Sequence, residues 1–210
     1  MHPAAAKTHH LPPARSLLAA SILLMAIQGC SSAMTSPTDR TPSDTSTSPA
    51  HGQLWEWPLK FVRHNFTMGA FDVQSYRVVY ANFPYTSDGP EPSLASFGHR
   101  HADLFTAWRL SLPNFPPPAD LNWVSKDGTM LHATVDLDQI FKDRLIRHNV
   151  PRDEVSPNAS IGDPGIIIEI DNRTVNVYML AHIATKHLQI PGNKYSDFRN
   201  DLIKVYSKTY

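Results

Sequence analysis

The stretch that most constrains this chain is a run of alternating side chains near its C-terminal third. Ile166-Ile167-Ile168-Glu169-Ile170 leads into Asp171-Asn172-Arg173 and then into Thr174-Val175-Asn176-Val177-Tyr178-Met179-Leu180. In the second arm Val175, Val177, Met179, Ala181 and Ile183 recur with period two, while Asn176, Tyr178 and His182 fall between them, with Leu180 as an interruption. That period predicts a hairpin whose second strand has one face on a core. A second hairpin is predicted where Leu121-Asn122-Trp123-Val124-Ser125 and Thr129-Met130-Leu131-His132-Ala133-Thr134-Val135 flank Lys126-Asp127-Gly128, since Gly128 allows a positive φ in the turn. Tyr76-Arg77-Val78-Val79-Tyr80 and Leu59-Lys60-Phe61-Val62-Arg63 also read as strands.

Helix signals are fewer. Asp136 or Asp138 can cap residues 137–146, where Leu137, Ile140, Phe141 and Leu145 make an apolar stripe. Ser196 or Asp197 can cap a C-terminal helix with Phe198, Leu202 and Val205 on one side. The expected fold is mainly antiparallel β, sandwich-like, with one or two packed α-helices, an α+β chain. Residues 52–210 suffice for a single β-rich domain with a sizeable core.

The N-terminus follows a different logic. Lys7 and Arg15 form a positive region with no acid before Asp39, and the apolar run 16–27 follows. At about 12 residues the run suits a signal-peptide core and falls short of the roughly 20 a spanning helix needs. It ends at Ile27-Gln28-Gly29-Cys30, which resembles the lipobox of lipoprotein signal peptidase. The resemblance implies that residues 1–29 are removed and that Cys30 is acylated to become the first mature residue. Cys30 is the sole cysteine of the chain, and an exported chain would otherwise carry an unpaired thiol into an oxidising compartment. Several acyl chains hold a protein on a membrane far better than one. Residues 30–51, rich in Ser, Thr and Pro with Met34 as the one large apolar side chain, read as an acylated cysteine followed by a disordered tether. Ser31 is compatible with sorting to the outer membrane, by resemblance to enterobacterial lipoproteins. The expected location is therefore the periplasmic side of the envelope.

Cleavage would leave 17 Lys and Arg against 19 Asp and Glu. That balance gives no electrostatic footprint for nucleic acid. His99-Arg100-His101-Ala102-Asp103 has metal-like spacing and resembles half of the metallo-β-lactamase signature, but Leu104 stands where that family has a further histidine. A polar loop is the expected reading, with no metal and no cofactor. No G-x-S-x-G elbow, H-E-x-x-H or phosphate-binding G-x-x-x-x-G-K-[ST] occurs. His132 and His182 read as cross-strand partners rather than bases, and His64 has no identifiable partner nearby in sequence. Asn65, Asn158 and Asn172 open N-glycosylation sequons that read as chance matches in a bacterial lipoprotein. A tethered β domain without an evident nucleophile, metal set or cofactor loop reads as a binding module, not an enzyme.

Four stretches carry a family likeness. They are Phe61-Val-Arg-His-Asn-Phe, Trp123-Val-Ser-Lys-Asp-Gly-Thr, Val135-Asp-Leu-Asp-Gln-Ile-Phe-Lys-Asp and Pro164-Gly-Ile-Ile-Ile-Glu-Ile-Asp-Asn-Arg-Thr-Val-Asn-Val-Tyr-Met. Spread over most of residues 59–183, they resemble periplasmic immunity lipoproteins of type VI secretion lipase effectors, the Tli type. The resemblance implies an antitoxin that binds a cognate phospholipase and blocks it, with the membrane reached through the N-terminal lipid. The motifs read as turns and buried faces, so they leave the toxin-contacting residues unassigned. Residues 83–92 and 108–118 hold aromatic and Arg side chains suited to a tight interface or, equally, inert connections. A structural or assembly lipoprotein of the outer envelope and a periplasmic hydrolase with dispersed catalytic residues remain as rival readings.

The anchor has a direct test. Cys30→Ser is expected to abolish acylation and move the protein from the membrane to the soluble or unprocessed fraction. Normal processing and membrane fractionation of that variant would rule the anchor out.

Overall fold

A computed structural model describes residues 54–98 and 100–210. Cys30, His99, the signal segment 1–29 and the tether 30–51 lie outside the described residues. The chain is mostly β, in two main sheets that share one core.

The hairpins form where alternation predicts them. β5 (Ala119–Ser125) and β6 (Met130–Val135) are antiparallel, with Ala119, Leu121, Trp123 and Ser125 buried in turn along one face. Their turn is set by Gly128 at φ +85° and by Asp127, whose Oδ1 accepts from Ser125 Oγ at 2.5 Å and Thr129 N at 3.1 Å. Those bonds, the Ser125 hydroxyl first, hold the Asp127 carboxyl well below the usual carboxylate range. β7 (Gly165–Asp171) and β8 (Thr174–Leu180) pair antiparallel through the Asn172-Arg173 turn, with Asn172 at φ +50°. The two turns then lock together. Trp123 Nε1 donates to Asn172 O at 2.7 Å, Lys126 N donates to Asn172 Oδ1 at 3.1 Å, and Arg173 Nη1 reaches Asp127 Oδ2 at 3.3 Å.

The first sheet runs β11 (Leu202–Thr209), β8, β7, β1 (Arg63–Phe71), β4 (Arg109–Pro113), and the second β3 (Phe83–Ser87), β2 (Val73–Tyr80), β5, β6. β1 (Arg63–Phe71) pairs parallel with β7, so the first sheet is mixed. At Asp72, φ +51°, the chain turns into β2 (Val73–Tyr80) of the second sheet. β3 (Phe83–Ser87) and β4 (Arg109–Pro113) are the edge strands that follow. Phe66 of β1 meets Tyr80 of β2 with ring centroids 4.3 Å apart, one of the contacts that close the core.

Three expectations need correction. The strand read at 59–63 instead begins at Arg63, and Lys60 makes only an isolated bridge with Leu145. Leu59 and Phe61 are apolar because they are buried, not because they extend a ladder. The helix read over 137–146 is a single turn, α1 (Leu137–Ile140), capped as expected by Asp136, which accepts from Gln139 N. Phe141 is then held against Phe61 and Phe115, and Arg144 takes φ +59°, which ends the helical path. The C-terminal helix is absent. Residues there form β10 (Phe198–Arg199), paired with β9 (Ile183–Ala184), and β11 (Leu202–Thr209), paired along the outer edge of β8. Leu202-Ile-Lys-Val-Tyr satisfies β8's open backbone groups, a tertiary gain that outweighs a weak helical stripe.

The predicted face pattern of β8 is also incomplete. Val175, Val177 and Met179 face the shared core, but Asn176 and Tyr178 on the other side are buried too. The β3–β4 connection covers that side, packing Phe105 and Trp108 onto Ile167 and Tyr178. Gly165 makes room for it: a Cβ there would lie 2.6 Å from the Trp108 ring. Among the described residues no helix is long and apolar enough to cross a membrane.

Gly165→Ala should therefore force Trp108 off the sheet and cost about 1–3 kcal/mol, the usual penalty of overpacking. Gly162→Ala, with open space at its Cβ, should stay within about 0.5 kcal/mol of wild type. Chemical denaturation of both variants checks the difference; equal stabilities would mean the connection does not pack as described.

Candidate functional site

The polar chemistry of the domain gathers on the covered side of β7 and β8. Glu169, at mid-β7, is 1% exposed. Its Oε1 accepts from Asn176 Nδ2 at 2.9 Å and from Tyr178 Oη at 3.1 Å, both on the neighbouring strand. Its Oε2 meets His101 Nε2, brought from the one-turn 3-10 helix His101–Leu104 in the β3–β4 connection. Phe71, Phe105 and Tyr178 surround the imidazole at centroid distances of 6.3, 5.5 and 5.3 Å. Burial, then the adjacent Glu169 carboxylate, pushes the Tyr178 phenol well above its usual pKa, so it stays a donor. Burial first and Glu169 second also raise the Asp171 carboxyl.

Both Glu169 oxygens thus have partners from two elements, and the arrangement fastens the connection to the sheet. Removing a partner so that a buried polar group is left unsatisfied usually costs about 1–3 kcal/mol. The histidine cluster expected as a polar loop therefore includes a structural tie. His101 turns to Glu169, whereas Asp103 pairs with Arg100 at 2.8 Å, so these two do not converge on one point. Beside His101 and Tyr178 lies an open recess of about 590 Å³, lined by Arg100, Asn149, Asn200 and Lys204 among others.

His64, which the local sequence left without a partner, is fully buried and bonded at both nitrogens. Asn114 Nδ2 donates to Phe61 O, which leaves Asn114 Oδ1 as acceptor for His64 Nδ1–H at 2.7 Å. His64 Nε2 then accepts from Tyr80 Oη at 2.9 Å. Burial favours this neutral imidazole over the charged form. His132 meets Asp120 at 2.7 Å across β5 and β6, and His182 stacks on Phe198 at 4.3 Å. The His132 contact is cross-strand, as expected, whereas His182 lies in the β8–β9 connection and reaches Phe198 from outside a strand.

The two segments singled out for interface chemistry converge. β3 and β4 are the edges of different sheets, yet the Arg109 guanidinium lies 4.9 Å from the Phe83 ring centroid. Arg109 Nη1 also reaches the carbonyls of Tyr80 and Ala81 at 3.4 and 3.3 Å, which fixes the cation beside the ring. Leu110 follows at 71% exposure, and exposed Val62 lies at the far end of β4, its carbonyl accepting from Asn114 N. Trp108 and Phe115 from the same segment turn inward instead. Ser111, at φ +56°, interrupts β4: its Oγ accepts from Arg63 Nε and donates to Asp163. A kinked, side-chain-covered edge resists strand addition, so this surface offers side chains rather than a free ladder. Val62 was missed in the sequence because it stood inside an apparent strand.

Compared with known protein families, curated proteins and solved structures, the chain matches none.

The His64 network makes stability depend on pH. Burial lowers the His64 pKa below 6.5, with the Asn114 bond and Asp163 only partly opposing it. The unfolded chain therefore binds the proton more readily. The stability due to neutral His64 is complete above about pH 6.5 and is lost as pH falls through the folded value, at up to about 1.4 kcal/mol per pH unit. His148, also lowered by burial, acts in the same direction, and raised Asp171 opposes it nearer the carboxylate range. Denaturation between about pH 8 and pH 5, with NMR titration of the imidazoles, should show falling stability and a late-titrating His64. Constant stability and an ordinary His64 titration would contradict the network.

Proposed function

We propose that this chain is a periplasmic lipoprotein, anchored through Cys30, that binds and neutralises a phospholipase effector of type VI secretion. The observation that carries the reading is the convergence of Phe83 and Arg109 at the neighbouring edges of the two sheets, with Leu110 exposed next to Arg109 on β4. An aromatic ring, a guanidinium already held in place and an exposed aliphatic side chain are the materials of an interface anchor. Because Arg109 is braced by two backbone carbonyls and the ring, less side-chain freedom is lost when a partner docks. The likeness to lipase-immunity lipoproteins supplies the class of partner, and the expected acyl tether would hold the inhibitor at the membrane where a phospholipase works.

Inhibition by occlusion needs affinity, since one escaping lipase turns over many lipids. Binding in the nanomolar range, about −12 kcal/mol, is expected. The domain 52–210 should form a stable complex with the lipase encoded beside it and suppress phospholipid hydrolysis at equimolar amounts. Phe83→Ala and Arg109→Ala should each weaken binding by about 2 kcal/mol or more, roughly thirtyfold, with little change in fold. Full lipase activity in molar excess of the wild-type domain would end the immunity reading. Inhibition untouched by either substitution would place the interface elsewhere on the domain.

A further inference from the structure

Between β9 and β10 the chain leaves the sheets as a finger, residues 185–197. Every residue from 186 to 195 is exposed, yet the segment is tied internally. Thr185 N donates to Asp197 O at 2.7 Å and Gln189 N to Ser196 O at 2.7 Å. Ser196, itself buried, accepts from Ile190 N at 2.9 Å and donates to the carbonyls of Ile190 and Asn193 at 3.1 and 2.8 Å. Asn193 N closes on Ile190 O at 3.1 Å, and Gly192 supplies φ +81° at the bend.

What this finger presents is apolar and cationic. Leu188, Ile190 and Tyr195 are exposed, Tyr195 at 72%. Lys194 Nζ lies 4.8 Å from the Tyr195 ring centroid, and Lys186 stands at the base. From 186 to 196 there is no Asp or Glu, and the nearby Glu154 is paired with His187 at 2.8 Å. Aliphatic tips, a phenol and ammonium groups are the set that a bilayer boundary accepts: alkyl groups enter the acyl edge, Tyr sits among headgroups, and Lys reaches phosphate. The internal bonds serve the same end, because backbone groups paired within the finger need not be stripped of water unpaired on shallow insertion.

We propose that the finger 185–197 is a membrane-docking element that inserts Leu188, Ile190 and Tyr195 into the interface of an anionic phospholipid bilayer. The proposal stands independently of the toxin-binding reading, which rests on Phe83, Arg109 and Leu110. It gives the domain its own contact with lipid in addition to any acyl anchor. The positive, acid-free tip selects an anionic surface over a neutral one.

The experiment uses the unacylated domain 52–210, which contains all the described strands and the whole of the described core. It is sedimented with vesicles of phosphatidylcholine alone or mixed with phosphatidylglycerol. Binding is expected to the mixed vesicles, weakening as salt is raised. Ile190→Asp should reduce it about tenfold or more, the equivalent of one buried aliphatic side chain. Lys194→Glu should reduce binding to the mixed vesicles. Circular dichroism melts of both variants should match wild type, since both positions are exposed. No binding by the folded wild-type domain, or equal binding by folded Ile190→Asp, would overturn the proposal. So would a finger whose substitutions abolish the lipase complex while vesicles are bound by neither protein, since its partner would then be a protein.

Discussion

The fold hangs on the clasp between two turns. Trp123 and Lys126 in one hairpin bond to Asn172 in the other, and Arg173 reaches back to Asp127. Each hairpin belongs to a different sheet, so the clasp sets how the sheets meet. It also fixes register, because the two turns must present their bonding groups together. The same Arg173 donates through Nε to Tyr210 O at 2.7 Å, which draws in the end of β11. A short set of polar bonds at one end thus orders an apolar core built from both sheets.

From that arrangement follows the burial of β7 and β8 on both faces. The shared core takes one side. The β3–β4 connection takes the other, tied down by His101 on Glu169 and by Phe105 and Trp108. A carboxylate in such a place is stable only with its partners supplied, and Asn176, Tyr178 and His101 supply them. With these faces covered, the sheet edges, where Phe83, Arg109 and Leu110 stand, and the finger are among the surfaces left for a partner. The proposed inhibitor therefore keeps its binding chemistry apart from the groups that hold the fold.

Local pattern was legible and long-range pairing was not. Both hairpins could be read because alternation and turn residues lie within a few positions of each other. The continuous Ile166-Ile167-Ile168 run is buried on both faces, where the alternation of the hairpin led to the expectation of one face on a core. The C-terminal strand was misread because Phe198, Leu202 and Val205 match a helical spacing, and only the open edge of β8 decides against it. His101 and Glu169 are 68 residues apart and His64 and Asn114 are 50 apart. No spacing rule joins such pairs. The segments 83–92 and 108–118 could be named for their composition, but their convergence depends on β3 and β4 being edges of adjoining sheets, a property of topology.

Hydrogen–deuterium exchange of the domain with and without the neighbouring lipase tests whether the proposed surface at Phe83, Arg109 and Leu110 is where a phospholipase binds. Strong new protection is expected across Phe83–Ser87 and Arg109–Pro113, with the β7–β8 hairpin unchanged because it is already buried. A complex that forms while both edge strands exchange as freely as in the isolated domain would contradict that binding site.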